Sequence, residues 1–105
     1  MSESTCPAPE TFAEPVVIYT TRWCGYCTMA LVLLRAKGIV FAQVPVDGDP
    51  QARAWLAQRT GRRTVPQVFI GGRSVGGYDE ISQLDEDGEL MALVSAAREG
   101  RGTAR

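Results

Sequence analysis

A chain of 105 residues, 45% hydrophobic and 22% charged, is sized for one domain that buries roughly 60–70% of its unfolded surface. Its net charge of −1 supplies no general attraction to nucleic acid or to an anionic membrane surface. No apolar run approaches the roughly eighteen residues that span a bilayer, so neither partner is expected.

The first twelve residues, "MSESTCPAPETF", are rich in Pro, Ser and Glu and are expected to be a disordered tail ahead of a domain over 13–98. They show neither the basic start nor the apolar core of a secretory signal, and a reducing cytoplasm is the expected compartment. Cys6 within this stretch reads as a tail thiol without a role, or else as a site of glutathionylation or intermolecular disulfides.

"PVVIYT" (Pro15–Thr20) is a β-branched and aromatic run, read as a buried strand. It leads into "RWCGYC", with Cys24 and Cys27 at C-x-x-C spacing. From Cys24 the apolar positions Cys27, Ala30, Leu31 and Leu34 recur at helical spacing until Lys37 and Gly38 close the helix. "VFAQVPV" (Val40–Val46) reads as a second strand, placed near an edge by Pro45. Asp49 and Pro50 form an N-cap and first-turn pair opening a helix to about Thr60. "QVFI", Gly71-Gly72 and "RSVG" then form a hairpin. Asp79 to about Asp87 and Glu89–Arg98 read as helical, with Ile81, Leu84, Leu90, Leu93, Val94 and Ala97 as their buried stripe. Residues 99–105 are expected to be a second disordered tail.

The order β-α-β-α-β-β-α predicts an α/β fold. The first two strands should run parallel through a right-handed crossover, and the hairpin should complete a mixed four-stranded sheet with helices on both faces.

C-x-x-C can be half of a zinc site, a structural disulfide, a buried corner or a redox centre. A closed zinc site takes four Cys or His ligands, and this chain has three cysteines and no histidine, so no metal is expected in a monomer. The redox reading has a mechanism. At a strand-to-helix junction, unpaired N–H groups and the positive end of the helix dipole favour a thiolate at Cys24. Arg22 and Arg63 would add positive charge if the fold brings them close. Cys27, one turn on and starting the buried stripe, should be less exposed and able to resolve what Cys24 attacks.

"YTTRWCGYC" and "RRTVPQVFIGGRSVGGYDE", with the strand order between them, resemble the glutaredoxins of the thioredoxin-like fold over roughly Val16–Val94. The resemblance implies a glutathione-dependent thiol–disulfide oxidoreductase acting on glutathionylated or disulfide-containing proteins, with glutathione as co-substrate. It also implies that Pro66 of Thr64-Val65-Pro66 is cis, so that the backbone of Val65 pairs with bound glutathione. Gly77 then allows close backbone approach, while Tyr78 and Asp79 open a helix that receives the γ-glutamyl group. Tyr26 packs beside the active sulfur. Arg53 stands near the glycine carboxylate of glutathione in this reading, or else on a solvated helix face. Related proteins carry Lys or Arg three residues before the first cysteine; here that position is Thr21, with Arg22 one step closer.

Gly25 replaces the family's usual proline, which should loosen the turn and shift the potential from about −200 to −230 mV. Some glutaredoxins without that proline hold a [2Fe–2S] cluster between two subunits, each giving its first cysteine beside two glutathiones. On this alternative Cys24 is the metal ligand and the chain dimerises; otherwise a monomer is expected. "WCGYC" also resembles the mycoredoxins, which act on mycothiol mixed disulfides, whereas Gly76-Gly77-Tyr78-Asp79 points to glutathione.

Overall fold

Strand β1 (Val16–Thr20) is buried along its whole length because both faces of the sheet are covered. Alternation sends Val16 and Ile18 into one apolar cluster and Val17 and Tyr19 into the other. The computed structural model describes residues 6–103.

The sheet order is β2-β1-β3-β4. Strand β2 (Phe41–Pro45) runs parallel to β1, with Val16 opposite Phe41 and Thr20 opposite Pro45. It is an edge strand, as Pro45 requires. Strand β3 (Gln67–Ile70) is antiparallel to β1 and forms a hairpin with β4 (Arg73–Gly76). The hairpin turns through Gly71 and Gly72, whose φ values of 61° and 82° favour glycine. The expected mixed α/β sheet is therefore present, parallel crossover included.

Helices α1 (Gly25–Ala36), α3 (Tyr78–Glu86) and α4 (Leu90–Thr103) cover one face. Ala30, Leu34, Ile81, Leu90 and Val94 pack there against Val16, Ile18, Val68 and Ile70. Helix α2 (Pro50–Thr60) covers the other face with Ala52 and Leu56. Its start is capped as expected, since the Asp49 carboxylate accepts the Ala52 N–H at 3.0 Å. Burying each large apolar side chain contributes about 1.5–3 kcal/mol relative to exposure. Two short helical faces thus suffice to hold the sheet.

Both tail expectations need correction within the described residues. Residues 6–12 are folded: Cys6 is buried among Val17, Tyr19 and Phe69, and Pro9–Thr11 form a 3₁₀ turn. The Tyr19 hydroxyl donates to the Pro7 carbonyl at 2.6 Å. Glu10 pairs with Arg59, which also donates to the Gly72 carbonyl and lies over the rings of Trp55 and Phe69. Helix α2 leaves part of its sheet face open, and this segment covers it. Local polarity does not report such an opening. At the other end α4 continues to Thr103 instead of ending at Arg98. Gly100 and Gly102 weaken a helix, but only proline removes one of its hydrogen bonds. The expectations for 1–5 and 104–105 lie outside the described residues.

Candidate functional site

Cys24 is the N-cap of α1, with φ −134° and ψ 111°, where strand geometry gives way to helix. Its sulfur accepts the Cys27 N–H at 3.2 Å, which satisfies one of the helix's unpaired donors. Its thiol also reaches the Val65 carbonyl at 3.6 Å. Cys24 is half-buried, while its neighbours Trp23 and Tyr26 are 91% and 59% exposed. Cys24 is therefore partly open to solvent, in a stretch that also exposes two aromatic side chains.

Cys27 is 2% exposed. Burial, with a further contribution from the hydrogen bond to Cys24, pushes its thiol up to about 12; hydrogen bonds from Thr21 offset part of that. Both thiols are reduced. The two sulfurs occupy unlike positions: Cys24 caps the helix at a half-buried site, and Cys27 is buried and desolvated.

The arginines are placed differently from expectation. Arg22 turns to Asp47, its N–H donating to Oδ2 at 2.6 Å and its Nε standing 4.0 Å from the same oxygen. The tight backbone bond ties residue 22 to Asp47 in the loop after β2, while its side chain stays largely exposed. Arg53 donates to the Arg63 carbonyl at 3.2 Å. Both arginines line a groove of 920 Å³ on the outer side of α2, with Trp55 and Gly61. Although it is larger than any other hollow described here, that groove contains no thiol.

The chemistry-bearing residues gather around a smaller pocket of 230 Å³. Thr64, Val65 and Pro66 form one wall, Gly77, Tyr78 and Asp79 another, and Tyr26 reaches it from α1. The Val65–Pro66 bond is cis. Gln67 braces the loop from beneath, donating to the Thr64 carbonyl at 3.0 Å. Tyr26 and Tyr78 have ring centroids 6.4 Å apart. Helix α3 starts at Tyr78 with Gly77 as N-cap, so Asp79 lies inside the first turn. The first-turn N–H groups lack carbonyl partners of their own helix.

Gly77 also lies close to the opposite wall of the pocket. A Cβ there would meet the Pro66 carbonyl oxygen at 3.0 Å, so the glycine lets the two walls touch each other. Gly76 has φ 108°, and its missing Cβ leaves room for the Glu80 side chain, which it would approach to 2.7 Å.

Two pocket residues escaped the sequence reading: Arg62 and Glu80. Glu80 Oε1 accepts the Gly77 N–H at 2.7 Å, and Oε2 lies 3.2 Å from Arg62 Nη1. The signal was available in part, because a glutamate at the third helical position is a capping residue. Among the described residues no three His, Cys, Asp or Glu side chains gather in a way that could hold a metal ion. No described helix is long and apolar enough to cross a membrane.

The arrangement offers a thiol at a helix start, a second thiol protected one turn away, and a pocket whose walls expose backbone groups beside the first sulfur. Those parts suit thiol–disulfide exchange. Comparison with known proteins agrees. The glutaredoxin family model matches residues 16–75. A glutaredoxin of Pseudomonas aeruginosa is 51% identical over 82 residues, covering 78% of this chain and 98% of the relative. Glutaredoxin 3 of Escherichia coli K12 is 43% identical over 79 residues, covering 75% and 95%. The crystal structure of a buckwheat glutaredoxin–glutathione complex superposes with a TM-score of 0.77 at 33% identity, over 81% of this chain and 80% of that one. The holo form of glutaredoxin C1 from Populus tremula x tremuloides gives 0.77 at 39% identity, over 80% and 78%.

Proposed function

The chain belongs to the glutaredoxin family of thiol–disulfide oxidoreductases, and from that premise we propose that glutathione is its co-substrate and protein–glutathione mixed disulfides its main substrates. One observation carries the reading. The pocket formed by Thr64–Pro66, Gly77–Asp79 and Tyr26 adjoins Cys24, whose thiol points at the Val65 carbonyl.

The Cys24 thiolate attacks the glutathione sulfur of the mixed disulfide. The old S–S bond breaks, and the protein leaves as a thiolate that takes up a proton. Cys24 is now joined to glutathione. A second glutathione thiolate attacks the bound glutathione sulfur, releasing oxidised glutathione and restoring the Cys24 thiolate. With a protein disulfide, the Cys24 thiolate attacks one substrate sulfur and the substrate S–S bond breaks. Its other sulfur leaves as a thiolate that takes up a proton; Cys27 then attacks Cys24. The Cys27 proton passes to the departing substrate thiolate, and a Cys24–Cys27 disulfide remains for glutathione to reduce. Val65 would pair with the backbone of glutathione, while the first turn of α3 and Asp79 would take its γ-glutamyl end.

The test compares one peptide capped by a disulfide either to glutathione or to cysteine. A kcat/KM at least about tenfold higher for the glutathione-capped peptide is expected, equivalent to one well-made charged contact. Equal values would remove glutathione recognition, and a mycothiol-capped peptide preferred over both would replace it.

A second reading rests on Gly25, where a Cβ would meet nothing within 4 Å, beside a half-buried Cys24. One chain holds too few ligands for a metal group among its described residues. Two copies, each giving Cys24 beside a glutathione thiol, would supply the four thiolates of a [2Fe–2S] cluster.

A further inference from the structure

The mouth of the glutathione pocket carries a charge problem. Asp79 and Glu80 both lie in the first turn of α3, where the proposed ligand would bring an α-carboxylate beside an α-ammonium. One carboxylate, Asp79, suffices to pair that ammonium, leaving Glu80 as the surplus negative charge. Glu80 is held there by structure: Oε1 caps the Gly77 N–H at 2.7 Å, and its stem fills the space beside Gly76. It therefore stays close to the helix start. Its second oxygen faces Arg62, 3.2 Å away, from the loop that leads into the cis-proline wall.

We propose that Arg62 is a specificity-determining residue that acts by cancelling the Glu80 charge, so that the start of α3 accepts the γ-glutamyl carboxylate of glutathione. This rests on the glutathione reading above. The Glu80 carboxyl is held below its ordinary range, first by the Gly77 N–H and then by Arg62, so the charge to be cancelled is present at neutral pH. Arg62 and Glu80 are 45% and 42% exposed, so solvent and salt weaken the effect without removing it.

Four proteins test the idea at low ionic strength: wild type, Arg62→Ala, Glu80→Gln, and the double variant. The glutamine keeps an amide oxygen for the Gly77 N–H. For glutathione-capped peptide, Arg62→Ala should raise KM about fivefold and leave kcat within about twofold, as loss of uniform binding requires. The double variant should return KM to within about twofold of wild type, and Glu80→Gln should have a KM no higher than wild type. About 0.5 M salt should shrink the Arg62→Ala defect. A double variant as impaired as Arg62→Ala would mean that Arg62 contacts the ligand directly, and would overturn the proposal. So would an unchanged KM in Arg62→Ala. If Glu80→Gln fails to fold, Arg62→Lys and Arg62→Glu decide: the lysine should restore KM, and the glutamate should raise it beyond the alanine. A peptide capped with cysteinylglycine lacks the γ-glutamyl group and should respond to none of these changes. Wild type treating both caps alike would defeat the glutathione reading itself, an outcome separate from failure of the Arg62 assignment.

Discussion

Cys24 and Cys27 stand one helical turn apart, yet they meet opposite environments. Cys24 caps the helix and takes an N–H from Cys27, whereas Cys27 is buried and desolvated. Cys24→Ser should therefore abolish turnover of a glutathione mixed disulfide, while Cys27→Ser should keep at least about a third of it, because the monothiol route uses one sulfur. Equal loss in steady-state assays would sink the assigned roles. Burial also makes a statement about stability. Cys27 is raised to about 12, and Cys6 and Tyr19 are raised as well, mainly by desolvation. An acid whose folded pKa is raised keeps its proton longer in the folded state than in the unfolded one. Its contribution is complete below the unfolded pKa and is lost as pH rises through the folded value. For Cys27 that window runs from its ordinary value near 9 to about 12. The urea midpoint should fall between about pH 9 and pH 11, and Cys27→Ala should flatten the decline. A midpoint constant over that range would contradict the burial argument.

At the scale of elements, the segment before β1 and the start of α3 each depend on a few contacts. Residues 6–12 are tied down by the Tyr19–Pro7 hydrogen bond and by the Glu10–Arg59 pair. Tyr19→Phe keeps the ring packing against Trp55 and Phe69 and deletes only the hydroxyl. It should cost about 0.5–1.5 kcal/mol in urea unfolding, the net worth of one hydrogen bond. A change below the error of measurement would mean that the segment does not depend on that bond. Gly77→Ala tests the meeting of the two pocket walls. The new Cβ would press on the Pro66 carbonyl oxygen, backbone that cannot step aside as a flexible side chain would. KM for glutathione-capped peptide should rise about threefold or more as the walls move apart. An unaltered KM would show that the contact does not set the pocket.

For the whole molecule the question is whether one copy or two carries function. The sheet is covered on both faces and needs no partner to bury its core. On the cluster reading a second copy matters only through Cys24 and the open space at Gly25. Anaerobic reconstitution with iron, sulfide and glutathione should then give a coloured dimer by absorption spectroscopy and size-exclusion chromatography. Cys24→Ser and Gly25→Pro should suppress the colour, the proline by restricting the backbone beside the sulfur. Cys6→Ser should keep it. A colourless monomer would leave thiol–disulfide exchange as the single role.

The sheet, its parallel crossover and the site of Cys24 were legible in the sequence because their determinants are local. Val16–Thr20 is an unbroken β-branched and aromatic run, Asp49-Pro50 and Lys37-Gly38 punctuate helices, and C-x-x-C follows a strand. The residues of the pocket were legible through resemblance, and the fold brings Tyr26, Thr64–Pro66 and Gly77–Asp79 to one place. Other features depended on distance through space. Cys6 is buried because a sheet face lay open beside α2, a fact that no property of "STCPAP" contains. Arg22 turned to Asp47, 25 positions away, and Arg53 to the Arg63 carbonyl. Arg62, in the loop before β3, met Glu80 on the first turn of α3. Periodicity and caps are properties of neighbours in the chain, so sequence alone determines them. A charged side chain chooses among all partners the fold brings within a few ångströms, and only the tertiary structure decides which those are.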